Sequence, residues 1–100
     1  MIVGVVRIEL HLHGVTSLKQ KRSLVSRLLS RLRGRFPVSL AEVGALDAHQ
    51  RAIFGGAMVA ADEALINKMF GAIETELEKE GSGEVMALDT ELIHYGEIDR

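Results

Sequence analysis

Apolar residues alternate along the first dozen positions of the chain. Ile2, Gly4, Val6, Ile8, Leu10 and Leu12 fall on one side of an extended backbone, and Val3, Val5, Arg7, Glu9, His11 and His13 on the other. A period of two sustained this far predicts a long strand with one apolar face, ended by Gly14. From Ser17 the period changes. Leu18, Leu24, Val25, Leu28, Leu29 and Leu32 share one arc at a period of about 3.6, so a helix is expected. Ser17 followed three residues on by Gln20 fits a capping box, and Gly34 predicts the stop.

Residues 38–43 read as a second strand and residues 44–50 as a loop. Arg51–Ala60 reads as a third strand, in which Gly55-Gly56 marks a bulge or a close backbone approach. Its two faces cannot be told apart, because both alternating sets are apolar or small. Asp62 opens a second helix with Leu65, Ile66, Met69, Phe70, Ile73 and Leu77 on one face, and Gly81-Ser82-Gly83 closes it. Residues 85–95 form the fourth strand, followed by an acidic tail. The order β-α-β-β-α-β, with right-handed crossovers, defines an α+β, ferredoxin-like sandwich. Its antiparallel four-stranded sheet runs 4-1-3-2, with both helices on one face. Residues 1–100 are expected to form a single domain. In this topology residues 13–22, 44–51 and 81–83 meet at one end of the molecule.

Charge changes the picture more than composition does. The net charge is only -2, yet residues 1–51 hold nine Lys/Arg against three Asp/Glu, and residues 52–100 hold three against eleven. No acid occurs between Leu10 and Ala41, where Lys19, Lys21, Arg22, Arg27, Arg31, Arg33 and Arg35 lie. Lys19, Lys21 and Arg22 sit at the start of the first helix, where cations oppose the helix dipole. A phosphate there would relieve that conflict. The alternative is a solvated face balanced by Glu74, Glu76, Glu78 and Glu80 of the second helix. There is no cysteine, which excludes disulfides and thiolate metal sites. The short apolar opening lacks a basic lead-in, so no signal peptide is expected, and no run is long enough to predict a transmembrane helix.

Met1-Ile2-Val3-Gly4-Val5, Ser17-Leu18-Lys19-Gln20-Lys21-Arg22, and Ala41-Glu42-Val43 leading to Gln50-Arg51-Ala52 together resemble the YlxP-like family of small bacterial proteins of unknown function, over nearly the whole chain. Genes of that family often lie near those of transcription and translation factors, including a ribosome-maturation protein. The resemblance therefore implies a link to RNA or ribosomes. Its members often carry an aromatic just before the Gln-Arg pair, where this chain has His49.

His11 and His13 share one strand side, as zinc ligands can, but need a third ligand; His49 is the nearest by topology. Asp47 and His49 suit an acid–base pair, yet no nucleophile motif or phosphate loop accompanies them. A turn-capping Asp47 and an Arg51 paired with Glu9 or Glu42 are the structural alternatives. Stacking of bases on the open sheet face is disfavoured by the scarcity of aromatics: Phe36, Phe54, Phe70 and Tyr95. No catalytic residue, metal or cofactor is therefore assigned. The expectation is a cytoplasmic, non-enzymatic protein associated with RNA or a ribosomal particle. Its anion-binding surface comprises Lys19, Lys21, Arg22, Arg27 and Arg31, with Gln50 and Arg51 from the adjoining loop. The alternative is a homo-oligomeric interaction module without a nucleic-acid role, since Val3, Val5 and Ile93 or Tyr95 leave an apolar strip on the open sheet face.

Overall fold

A computed structural model describes residues 1–96; the end of the acidic tail, residues 97–100, lies outside the described residues. The elements follow the order β1 (Ile2–His11), α1 (Leu18–Arg35), β2 (Ser39–Gly44), β3 (Arg51–Ala60), α2 (Glu63–Glu80) and β4 (Glu84–His94). The sheet is antiparallel, ordered β2-β3-β1-β4, as the crossover argument requires. Among the described residues no helix is long and apolar enough to cross a membrane.

Alternation in β1 decides the inner layer. Ile2, Val6, Ile8, Leu10 and, beyond the strand, Leu12 are buried against Val25, Leu28, Leu29 and Leu32 of α1 and Ile66, Phe70, Ile73 and Leu77 of α2. Gly4 belongs to the same inner face. A methyl group there would come within 2.3 Å of Ile66, so its absence lets α2 lie close on the sheet. The faces of β3 are now distinct. Ala52, Phe54 and Met58 point inward, with Gly56 making room for Leu40, while Gly55, Ala57 and exposed Val59 face away from the helices. Ile53 is also on the outer side but is buried beside Gly44. Gly55 and Gly56 pair with β1 in unbroken register, so close approach rather than a bulge explains them. The bulges fall elsewhere. Val43 is the extra residue of β2 opposite Ile53 and Phe54, and Met86 that of β4 opposite Glu9 and Leu10.

Helix termini account for the boundaries. The Ser17 side chain accepts a hydrogen bond from the Gln20 amide at 3.1 Å, while the Gln20 side chain reaches past the cap to accept from the Thr16 amide at 2.9 Å. Asp62 caps α2 through the Leu65 amide at 2.9 Å, and Gly81 closes it in the left-handed conformation at φ 82. The expected stop at Gly34 is corrected. The helix continues through Arg35 and breaks at Phe36, whose extended backbone is imposed by the following Pro37. Leu65 is likewise exposed rather than part of the buried face of α2.

Candidate nucleic-acid interface

The three segments expected to meet do so. Leu12 donates its amide to the Gln50 carbonyl at 2.8 Å, and the Gln50 side-chain amide donates to the Val15 carbonyl at 3.1 Å. Lys21 reaches the loop after β2, and Gly81 and Ser82 lie across a groove from the start of α1. This open groove of about 630 Å³ is bordered by His13, Lys19, Gln20, Ser23, Arg27 and Ser82, with Val15 and Leu24 adding apolar surface.

The seven proposed contact residues separate into distinct roles. Lys21 is corrected first: its side chain is 1 % exposed and is part of the interior. Its Nζ donates to the Ala45 carbonyl at 2.7 Å and lies 3.4 Å from that of Leu46. It also sits 2.8 Å from Glu42 Oε2. That oxygen is buried without a directed hydrogen bond, so the contact is ionic, and the lysine is its charge partner. Ala45, at φ 56, holds the left-handed turn whose carbonyl Lys21 receives. An ammonium so enclosed is not available to a phosphate.

Arg27 and Arg31 face α2. Arg27 Nη2 donates to Ser82 Oγ at 3.1 Å and lies 3.4 Å from Glu80; Arg31 Nε donates to Glu76 Oε1 at 2.8 Å, which also receives Arg35 at 3.2 Å. Glu76 is held below the ordinary carboxylate range, first by the Arg31 hydrogen bond and then by Arg35 nearby, against the opposing effect of its own desolvation. At Glu80 burial pushes upward, but the Ser82 hydroxyl and amide, with Arg27, outweigh it and the net direction is down. Arg51 Nε donates to Glu9 Oε2 at 3.0 Å, which lowers Glu9 and raises Arg51. This is the cross-strand pair weighed as the structural alternative. Gln50 is spent on Val15. Lys19 and Arg22 remain: both are exposed, and neither has a hydrogen bond or ion pair among the described residues.

The sequence reading missed Lys21 and Glu76 as interior charges. A positional signal existed for both. Lys21 lies four and seven residues before Val25 and Leu28, within the buried stripe, and Glu76 stands between Ile73 and Leu77.

The histidines are also settled in place. The rings of His11 and His13 are 4.2 Å apart, and His13 Nε2 is 2.8 Å from Glu84 Oε1. Among the described residues no three His, Cys, Asp or Glu side chains are placed to hold a metal. Asp47 makes no hydrogen bond among them; the turn closes instead through the Ala48 amide and the Ala45 carbonyl at 3.0 Å. Phe54 and Phe70 are in the core and Phe36 packs against it, which leaves Tyr95 as the exposed aromatic.

A two-helix, four-stranded ferredoxin-like sandwich with a basic first helix defines the class of protein. The chain belongs to the family described as "Protein of unknown function (DUF503)", which matches residues 3–90. It is 34% identical over 67 residues to "Uncharacterized protein YlxP" of Bacillus subtilis (strain 168), a match that covers 67% of this chain and 73% of that one. Among solved structures the fold is similar to "Structural Genomics, protein YJCS", with TM-score 0.61 and 10% identity over 92% of this chain and 99% of that one. A designed protein, "De novo designed protein Foldit4", is similar at TM-score 0.48 and 16% identity, over 94% of this chain and 97% of that one.

Proposed function

We propose that this is a non-enzymatic, cytoplasmic binding protein for RNA or a ribosomal particle, and that it contacts its partner through the N-terminal end of α1. The observation that supports this reading is the pair Lys19 and Arg22. They are exposed and, among the described residues, unpaired at the dipole end that disfavours cations, in a first turn without an acid, while their neighbours Lys21, Arg27 and Arg31 all have carboxylate partners. A local conflict with no intramolecular compensation is resolved by an external anion. Arg27, itself exposed at the groove rim, can turn to a phosphate while the Ser82 amide and hydroxyl keep their hydrogen bonds to the largely buried Glu80. Contact is through backbone phosphates and not through bases stacked on the sheet, where the aromatics are lacking.

The test is retention of RNA and ribosomal particles from native lysate, with and without nuclease, by wild type and by the double variant Lys19→Glu, Arg22→Glu. The variant is expected to lose nuclease-sensitive material. With a purified single-stranded RNA, the slope of log affinity against log salt is expected to become shallower by about 1.4 when these two contacts are removed. Unchanged association of a folded variant refutes the reading.

A further inference from the structure

Two open clefts meet at the end of the sandwich where α1 and β4 begin. The first, of about 630 Å³, is the groove bordered by Lys19 and Arg27; the second, of about 430 Å³, lies between the end of α2 and the start of β4. Both are bordered by His13 and Gly81, so they run together as one channel. A methyl group built on Gly81 would project into open space, and its φ of 82 disfavours any side chain there, so the junction stays open. Charge changes sign along the channel. Lys19 and Arg27 border the first cleft, Glu78 and Glu84 the second. His13 stands between them, its Nε2 2.8 Å from Glu84 Oε1. Glu84 Oε2 and both Glu78 oxygens have no hydrogen bond or ion pair among the described residues.

We propose that this channel holds one unpaired guanosine nucleotide of a single-stranded RNA, its phosphate at Lys19 and Arg27 and its base at Glu84. The inference rests on the RNA reading of the α1 end and adds which nucleotide that end selects. A backbone laid along the whole channel would set phosphates against two carboxylates. The backbone therefore fits across the cationic end only, and the acidic end takes a group that donates hydrogen bonds. Both clefts are of a size that small ligands occupy, and Val15 and Leu24 give the sugar an apolar surface between the two ends.

The choice of base follows from the carboxylate. An ionised carboxylate only accepts, on two oxygens side by side. Guanine alone presents two adjacent donors, its ring N–H and its amino group, to match them. Uracil presents one donor flanked by two carbonyls. Adenine and cytosine present an amino group beside a bare ring nitrogen, whose lone pair would face the second oxygen and be repelled. Glu84 Oε1 has lone pairs enough for both His13 and a base N–H. The His13 contact also orients Glu84 before a base arrives, whereas Glu78 has no such partner among the described residues. In a duplex this edge of guanine is already paired, so the ligand is a single strand.

Fluorescence anisotropy with end-labelled pentamers UUGUU, UUAUU, UUCUU and UUUUU, at about 50 mM salt, tests this. The wild type is expected to bind UUGUU about fivefold tighter than the other three, the low end for a bidentate base contact because the channel is open. Glu84→Gln, at an exposed position and so compatible with folding, is expected to abolish that ratio while all four pentamers still bind. Glu78→Gln is expected to keep it. A ratio between RNAs on one protein cancels the general effect of removing a negative charge. Equal binding of the four by wild type overturns the guanine assignment and leaves the RNA reading standing. Preference for another base, or a guanine preference that survives Glu84→Gln, overturns it equally. Failure of every pentamer to bind also overturns it, and the nuclease-sensitive retention from lysate then decides separately whether the RNA reading falls with it.

Discussion

Lys21 enters the interior from the first turn of α1 and ends between a carboxylate and two carbonyls. The ion pair with Glu42 is shielded, since Glu42 is itself only 18 % exposed. Pairs of this kind are poor sources of net stability but costly to break, because the remaining charge stays buried. Lys21→Met is therefore expected to cost about 3 kcal/mol in urea denaturation, while adding Glu42→Met should recover much of that loss. Equal costs for the single and double variants would show that the lysine acts through the Ala45 carbonyl alone. The same residue marks how far the site was legible. Cationic composition identified the right helix, and topology brought the right loops together. Neither shows whether a long flexible side chain turns inward or outward. That depended on a partner at Glu42, supplied by a strand whose bulge at Val43 separates it from Gly44, and the bulge has no simple sequence signature.

Between elements, α1 and α2 are joined by apolar packing on the sheet side and by ionic contacts at their outer seam. Glu76 is the centre of that seam, gripped by Arg31 and Arg35 from two successive turns of α1. Its folded pKa lies below the reference value of 4.5. A lowered carboxylate contributes stability that is fully present above the unfolded value and is lost as pH falls through the folded one. Glu9 and Glu80 are shifted in the same direction, so the protein should lose stability in acid below about pH 4.5. Glu76→Gln is expected to lower the urea midpoint at pH 7 and to flatten its decline between about pH 5 and 3. A variant with the same acid slope as wild type would mean that Glu76 is not held down by its arginines. Elements themselves are easy to read where the period is sharp, in β1, α1 and α2; β3, apolar or small on both faces, shows no such period. Ends were harder. Gly34 looked like a stop, yet Pro37 two residues after the last helical residue governed the boundary, through its restriction on Phe36.

Over the whole molecule, the segregation of charge along the sequence is largely reversed by folding. The basic stretch and the acidic second helix lie far apart in the chain, but α1 and α2 are neighbours on one face of the sheet. Arg27, Arg31 and Arg35 are consumed by Glu80 and Glu76, and in the first turns of the basic segment Lys19 and Arg22 project without partners among the described residues. A linear charge count therefore overstates the polarity of the surface. With a net charge of -2, general self-repulsion is slight, so added salt has mostly attraction to screen. Raising sodium chloride from about 0.05 to about 1 M shortens the screening length to about 3 Å and should lower the urea midpoint. Sodium sulfate at matched ionic strength should oppose this by favouring burial of apolar surface. The chloride effect should shrink in Glu76→Gln, which removes the seam's central acid. A midpoint that rises with chloride in the wild type would mean that repulsion between unpaired like charges outweighs the α1–α2 attraction, and that the two helices are held together by their apolar faces alone.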